Sequence, residues 1–339
     1  LPTGNPVTGD TAIRRALDLA VDREAMVDGA TRWDYRELDA RVRAFDAALD
    51  GFGLAPGDVV GVLAANSKAH LVGWLAVPRS GRVLNELNTR LSLAELEFIL
   101  DDSAVRVLVV DENYLDTGRE LLRSSPDLDT LIYAGSGECP SDCISFEVLT
   151  TTGESPRQVS VDGDATAGIF YTGGTTGRPK GVVWRHEDVF FALGGGIDAY
   201  TQERVTSDTQ LAEKAAATET PMVTLSAPPL MHGAAQWSTL RFWFEGGTVV
   251  FVPRFSPHAV WDAIAREGVN TVMITGDAMA RPMIEALEED PDRYDLSSLF
   301  VVSSSAAVFS PAVKDRYLEM LPDALIIDSI GSSEGGMNG

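Results

Sequence analysis

The sequence has 339 residues and a formal charge of −23, from 50 acidic and 27 basic side chains. A chain of this length buries roughly three quarters of the surface that its unfolded form exposes, so one very large domain or two are both open. The acidity excludes sequence-independent binding to nucleic acid or to an anionic membrane, and no apolar run approaches the ~18 residues of a membrane span.

The first ten residues, LPTGNPVTGD, lack the basic and apolar regions of a signal peptide, and a cytoplasmic location is expected. Beyond this leader, Leu38, Val42, Phe45 and Leu49 repeat at helical spacing on one face of YRELDARVRAFDAALDGFG, closed at Gly51. Val59–Leu63 reads as a buried strand after the turn at Pro56 and Gly57. Ser92 and Glu95 make a capping box, and AVRVLVVD after that helix is a second buried strand. From Tyr114 to Asp164 the chain turns more polar, which suggests a change of subdomain. Cys139 and Cys143 have no second cysteine pair and no histidine near them, and read as loop thiols. Apolar strand signals return at Thr248–Pro253, Asn270–Thr275, Leu299–Ala307 and Ala324–Gly331, with a helix over His258–Gly268. This alternation predicts an α/β fold of two similar layered subdomains with largely parallel sheets, divided as 1–165 and 166–339. Ligands of open parallel sheets collect at the carboxyl ends of strands, here at Gly174, Ser305 and Gly331.

Between two apolar runs lies YTGGTTGRPKGV, Tyr171 to Val182. Gly173, Gly174 and Gly177 let backbone N–H groups turn inward, Thr172, Thr175 and Thr176 add hydroxyls, and Lys180 adds a compact cation. Such a loop suits phosphate. It is not the P-loop of nucleotide triphosphatases, which needs Gly before the lysine and a hydroxyl after it, whereas Pro179 precedes Lys180 and Gly181 follows.

These twelve residues resemble the signature Y-T-S/G-G-T-T-G-x-P-K-G-V of the adenylate-forming superfamily of acyl-CoA synthetases, adenylation domains and luciferases. Further segments fall in the family's order: PLMHG around His232, SSSAAVFSP from Ser303 to Pro311, and DSIGSSEGG from Asp328 to Gly336. The resemblance covers about residues 20 to 339, and YTGGTTG, PLMHG and TGDAMARP together look most like actinobacterial synthetases for long-chain or steroid side-chain acids. It implies that a carboxylate attacks the α-phosphorus of ATP to give acyl-AMP, from which a thiol, usually that of coenzyme A, then displaces AMP, a carrier-protein acceptor staying open. Residues Thr172 to Gly177 with Lys180 would hold the phosphates. Glu334 would ligate Mg²⁺, with Thr176 as the second residue at the metal. Ser333 would bond near the α-phosphate. Ser305, Ala306, Ala307, Asp328, Ser329, Ile330, Gly331 and Ser332 would surround the adenine, with Ile330 standing where most of the family has a stacking tyrosine. His232 would close the acyl pocket, lined by Gly233, Ala234, Gln236 and Trp237, the small residues leaving width for a bulky chain. Lys180, Thr176, His232 and Glu334 are the expected catalytic set. His70, His186 and His258 are expected at the surface or in packing.

The implied partners are a small carboxylic acid, ATP and CoA, with no nucleic acid and no integral membrane span; a homodimer stays open. Thr275–Asp277 imitates the family's ribose-binding motif but precedes the Ser/Ala loop, the wrong order. Gly331–Gly335 fits G-x-S-x-G, so a serine esterase with Ser333 as nucleophile is one alternative. A nucleotide-binding remnant without turnover is another. Family members continue past the point reached by Gly339, so the chain is expected to be the larger N-terminal portion without the lid domain.

Overall fold

A computed structural model describes residues 22–152, 160–173, 177–193, 196–197 and 203–337. In chain order the first part runs β1 (Glu24–Asp28), β2 (Thr31–Asp34), α1 (Tyr35–Gly51), β3 (Val59–Leu63), α2 (Lys68–Ala76), β4 (Val83–Glu86), α3 (Leu93–Ser103), β5 (Val105–Val110), α4 (Leu115–Ser124), β6 (Thr130–Tyr133), β7 (Ile144–Ser145), α5 (Phe146–Thr151), β8 (Thr166–Thr172) and β9 (Lys180–Arg185). A helical turn at His186–Asp188 and a π-helix at Val189–Leu193 lead into the second part. That part comprises α6 (Asp208–Ala217), β10 (Val223–Ser226), α7 (Gly233–Phe244), β11 (Thr248–Phe251), α8 (Pro257–Glu267), β12 (Thr271–Ile274), α9 (Gly276–Glu289), β13 (Val301–Ser304), α10 (Pro311–Met320), β14 (Leu325–Asp328), β15 (Gly331–Ser332) and β16 (Gly336–Met337).

Two seven-stranded sheets carry the fold, in the orders β7-β6-β5-β3-β4-β8-β9 and β14-β13-β12-β10-β11-β1-β2. Neighbours are parallel except at one edge of each, where β8 pairs β9 and β1 pairs β2 antiparallel. Strands covered by helices on both faces read as unbroken apolar runs, and VVGVL of β3 and TVVF of β11 are buried at every position. The cores follow the layering. One apolar cluster lies between the sheets and joins Leu38, Phe45 and Val60 to Trp237, Phe244 and Val249. A second packs α8, α9 and α10 on the far face of the β14–β2 sheet, and a third packs α3 and α4 on the far face of the β7–β9 sheet. The arrangement is helix, sheet, helix, sheet, helix.

Local signals hold where they are strong. Leu38, Val42, Phe45 and Leu49 of α1 are all buried, and the helix closes beyond Gly51, where Gly53 takes φ +71°. The Ser92–Glu95 capping box is formed. The predicted change of subdomain after Tyr114 is absent, because β6 and β7 simply extend the first sheet by parallel pairing. Nor do the sheets divide at 165/166. β8 and β9 complete the first sheet, and β1 and β2, from the start of the chain, complete the second. Each hairpin buries more apolar surface as an edge of the distant sheet than it would as an isolated pair, which is marginal on its own.

Two of the histidines expected in ordinary surroundings are deeply buried. His70 Nδ1 lies 2.6 Å from Glu86 Oε2, and His70 Nε2 lies 3.0 Å from the Ala64 carbonyl oxygen. Burial pulls this imidazole down, but the Glu86 carboxylate more than offsets it and the net shift is upward. His186 is 2 % exposed, and its Nε2 has no partner among the described residues. His258 is held by Tyr294 at 2.6 Å.

Candidate functional site

The glycine/threonine loop is the turn of the β8–β9 hairpin, and the register sets Thr172 directly opposite Lys180. Pairing one step further in explains Gly181, which lies opposite Tyr171; a Cβ there would come within 2.8 Å of Ile169 and 3.2 Å of the Tyr171 ring. The Tyr171 hydroxyl donates to Asp102 at 2.5 Å, and the Arg178 guanidinium stacks 4.9 Å over Phe98, so the hairpin leans on α3. Lys180 is exposed and makes no ion pair among the described residues, in a chain where most arginines are tied to carboxylates. Thr172 is half-buried, and Gly173 and Gly177 are exposed. Gly174, Thr175 and Thr176, named from the sequence as phosphate or metal residues, lie outside the described residues.

The Ser/Ala loop follows β13 and is pinned from beneath. Gly276 N–H donates to Ser304 Oγ at 2.9 Å, Asp277 N–H to the Val308 carbonyl at 2.8 Å, and Ser310 N–H to Asp277 Oδ1 at 2.9 Å. The Thr275–Asp277 motif is thus the N-terminus of α9 acting as a latch on this loop, and the backbone bond from Ser310 holds the Asp277 carboxyl below its ordinary pKa. Within the latched loop Ser305 is buried, Ala306 takes φ +66°, and Ala306, Ala307 and Val308 are exposed.

The parallel neighbour β14 delivers the next segment to the same end of the sheet. Ser329 donates both its N–H and its hydroxyl to the Ser304 carbonyl, at 2.8 and 3.1 Å. Asp328 accepts from Lys314 Nζ at 2.6 Å, which occupies one carboxylate oxygen and leaves the other. Ile330 is 76 % exposed and presents an apolar face where the resemblance places the base. Gly331, Ser332, Glu334 and Gly335 belong to the exposed β15–β16 hairpin and its turn. Ser333 is in that turn, and no strand-to-helix elbow surrounds it. The esterase alternative needs a nucleophile on such an elbow, and this geometry withdraws it.

His232 stands, exposed, at the N-cap position of α7, the helix after β10, and its side chain makes no capping hydrogen bond. Desolvation, with the Arg90 guanidinium adding to it, lowers its pKa, so the ring is neutral at neutral pH. The segment before it is clamped to the other sheet: Asn66 Nδ2 donates to the Pro228 carbonyl at 2.9 Å, and Leu230 N–H to Asn66 Oδ1 at 2.7 Å. Gln236 is 1 % exposed, and among the described residues neither of its amide atoms has a partner, nor does Trp237 Nε1. Buried polar groups are rarely left so unless a ligand or water completes them. Gly233 has a different use from the width expected of it, since a Cβ would come within 2.6 Å of the Trp237 indole. Its smallness seats that ring, and Ala234, half-buried, remains as a small wall residue.

Two residues to which the sequence analysis gave no role, Trp184 and Arg90, belong to this region. Trp184 Nε1 donates to the Ser333 carbonyl at 2.8 Å, and its ring meets Trp237 edge-on at 5.7 Å. Arg90 follows Thr89, whose N–H and hydroxyl reach Met231 Sδ at 3.1 and 3.2 Å, so it lies beside His232 across the junction of the sheets. Neither role has a local sequence signal, because both depend on pairing between distant segments. The carboxylate supply at the hairpin is small. Among the described residues no three His, Cys, Asp or Glu gather as a metal cage. Glu334 alone fits a hard cation that keeps its waters and takes further oxygens from a substrate's phosphates.

The two-sheet α/β architecture, with these loops in this order, defines an adenylate-forming domain. The sequence matches the family described as AMP-binding enzyme over residues 13–339, and the chain belongs to that family. Among its relatives, a 3-oxocholest-4-en-26-oate–CoA ligase of Rhodococcus rhodochrous is 39% identical over 96% of this chain and 60% of its own length. A medium/long-chain-fatty-acid–CoA/3-oxocholest-4-en-26-oate–CoA ligase of Mycolicibacterium smegmatis is 37% identical over the same shares. The chain therefore spans about 60% of the length of these curated relatives. The apo structure of MbtA from Mycobacterium smegmatis superposes with TM-score 0.82 at 26% identity, covering 98% of this chain and 58% of that one. The anthranilate CoA ligase AuaEII with anthranoyl-AMP gives 0.81 at 22% identity, covering 98% and 61%, which supports the fold.

Proposed function

We propose that this chain is the nucleotide- and acid-binding portion of an ATP-dependent acid:CoA ligase for long-chain or steroid side-chain carboxylic acids. The observation that carries the reading is the hairpin register that sets Thr172 opposite Lys180, which makes no ion pair among the described residues, with β9 bonded through Trp184 to the turn that bears Glu334. The family match and the names of the relatives support it. In the first reaction a carboxylate oxygen bonds to the α-phosphorus of ATP while the bond to pyrophosphate breaks. In the second the sulfur of CoA bonds to the acyl carbon and AMP leaves. Both steps collect negative charge on oxygen, so positioned donors do most of the work.

In this reading Lys180 and the hydroxyls of Thr172, Thr175 and Thr176 bind the β- and γ-phosphates. The apolar platform of Ala306, Ala307 and Ile330 takes the adenine, and Ile330 in place of an aromatic ring gives up part of the ~1–3 kcal/mol that stacking a base supplies. Glu334 would hold Mg²⁺, which would supply charge neutralisation on the phosphates. Neutral His232 donates or accepts a hydrogen bond at the carboxylate without adding a charge there. Gln236 and Trp237 face the acyl chain, their orphaned polar atoms meeting a polar group or water that arrives with it. The proposed site of action is cytoplasmic; separately, no helix among the described residues is long and apolar enough to cross a membrane.

The test is ATP–pyrophosphate exchange with fatty and steroidal acids, run on this chain and on the complete gene product. Acid-dependent incorporation of labelled pyrophosphate into ATP by the complete product is expected. Exchange with none of the acids, or exchange without ATP specificity, removes the reading.

A further inference from the structure

Trp184 lies four residues after Lys180 on the edge strand β9, so by strand alternation the two side chains lie on one face of the sheet. Trp184 is buried between the exposed Val183 and Arg185, while Lys180 is exposed. The indole is held at two points. Nε1–H donates to the Ser333 carbonyl at 2.8 Å, and the ring meets Trp237 at a 5.7 Å centroid distance and 61°. Trp237 is itself fixed, because Gly233 one helical turn earlier leaves only the room that its ring fills. A continuous path of packed groups thus runs from the first turn of α7 through two indoles to the residue preceding Glu334. The receiving end is light: the β15–β16 hairpin is short and mostly exposed, while the sending end is rigid core.

We propose that Trp184 is a positioning residue that ties the acyl-side helix α7 to the Ser333–Glu334 turn, so that acid in the pocket and nucleotide at the turn strengthen each other's binding. A chain of contacts between two sites transmits free energy only if the intermediate group prefers one arrangement when either site is filled, and the effect is then reciprocal. The function proposed above places Trp237 at the acyl chain, and Trp184 meets its ring edge-on. A ligand that presses Trp237 toward its present seat holds the Trp184 indole toward Ser333, and a nucleotide that draws the turn inward holds the indole from the other side. The nucleotide arm rests on the function proposed above. The mechanical arm, indole holding turn, does not.

Trp184→Phe keeps an aromatic edge against Trp237 and deletes the N–H. A neutral hydrogen bond contributes about 0.5–1.5 kcal/mol, or roughly 2- to 12-fold in an equilibrium. Hydrogen–deuterium exchange on the 339-residue chain is therefore expected to speed up by a factor in that range at residues 331–336, with α1 unchanged. In kinetics on the complete product, the apparent KM for ATP should rise by a similar factor with little change in kcat, and the tightening of nucleotide binding by saturating acid should shrink. Trp237→Leu, which removes the ring that seats Trp184, should loosen the same amides, and it decides the matter if Trp184→Phe does not fold. Unchanged exchange at 331–336 in the folded variant overturns the proposal, as does a kcat loss without any change in the KM for ATP. If the wild-type protein binds no nucleotide, the functional reading falls while the exchange comparison still decides whether Trp184 holds the turn.

Discussion

Gln236 is 1 % exposed with neither amide atom bonded among the described residues, and each such orphaned group costs the folded chain about 1–3 kcal/mol. Gln236→Leu removes that cost at similar volume. It should raise the melting temperature while lowering kcat/KM for acids that carry a polar group near the carboxyl end; urea titration and activity on matched acids with and without that group decide it. His186 makes a second residue-scale test. Burial lowers its pKa to about 4, against about 6.5 in the unfolded chain. Below 6.5 the unfolded chain takes up a proton that the folded site refuses, so stability falls as pH drops toward 4 and is flat above the window. Expressed as the wild type minus His186→Leu, the loss should reach on the order of 3 kcal/mol across that interval. The variant comparison cancels His70, whose raised pKa acts in the opposite sense, with stability present below the unfolded value and lost as pH climbs through the folded one. A difference that does not change between pH 7 and pH 4.5 in urea melts contradicts this.

At the scale of elements, α9 couples helix capping to the loop proposed to take the adenine. Gly276 opens the helix at φ +43°, and a Cβ there would stand 2.5 Å from the Val308 carbonyl oxygen and 2.8 Å from Ala307. Gly276→Ala should cost roughly 1–3 kcal/mol through backbone strain alone, lower the melting temperature, and weaken nucleotide binding by pushing Ala307 and Val308 outward; calorimetric titration with ATP measures the second effect. The apolar strands and amphipathic helices that hold this loop were readable in advance: Val59–Leu63, Val105–Val110, Thr271–Ile274 and Pro257–Glu267 follow their local patterns. The candidate loops were also legible, through motif order. What local pattern could not convey is that the glycine loop closes a hairpin onto β4's sheet, that the Thr275–Asp277 motif latches Val308, or that Trp184 reaches Ser333. Each of these joins segments dozens of residues apart, and no periodicity encodes a partner.

For the whole molecule, the crossed hairpins decide what can fold alone. Cutting at 165/166 would strip β8 and β9 from the first sheet and expose the edge of β4, whose pairing to β8 runs through Leu84 and Asn85. It would equally take β1 from β11, where Met26, Val27 and Asp28 pair with Val249, Val250 and Phe251. The apolar cluster between the sheets would be opened on both pieces, since Val42, Phe45 and Val60 share it with Trp243, Phe244 and Val249. Exposed parallel edges and apolar faces of that size favour aggregation over independent folding. Fragments 1–165 and 166–339 expressed separately should therefore fail to give cooperative urea transitions, and mixing them during refolding should recover some structure. The intact chain should lose both sheets in one transition, because the shared core leaves neither a separate stability. Two resolved transitions, or a folded monomeric fragment with native exchange protection in β3 or β12, would mean that the inter-sheet core contributes little.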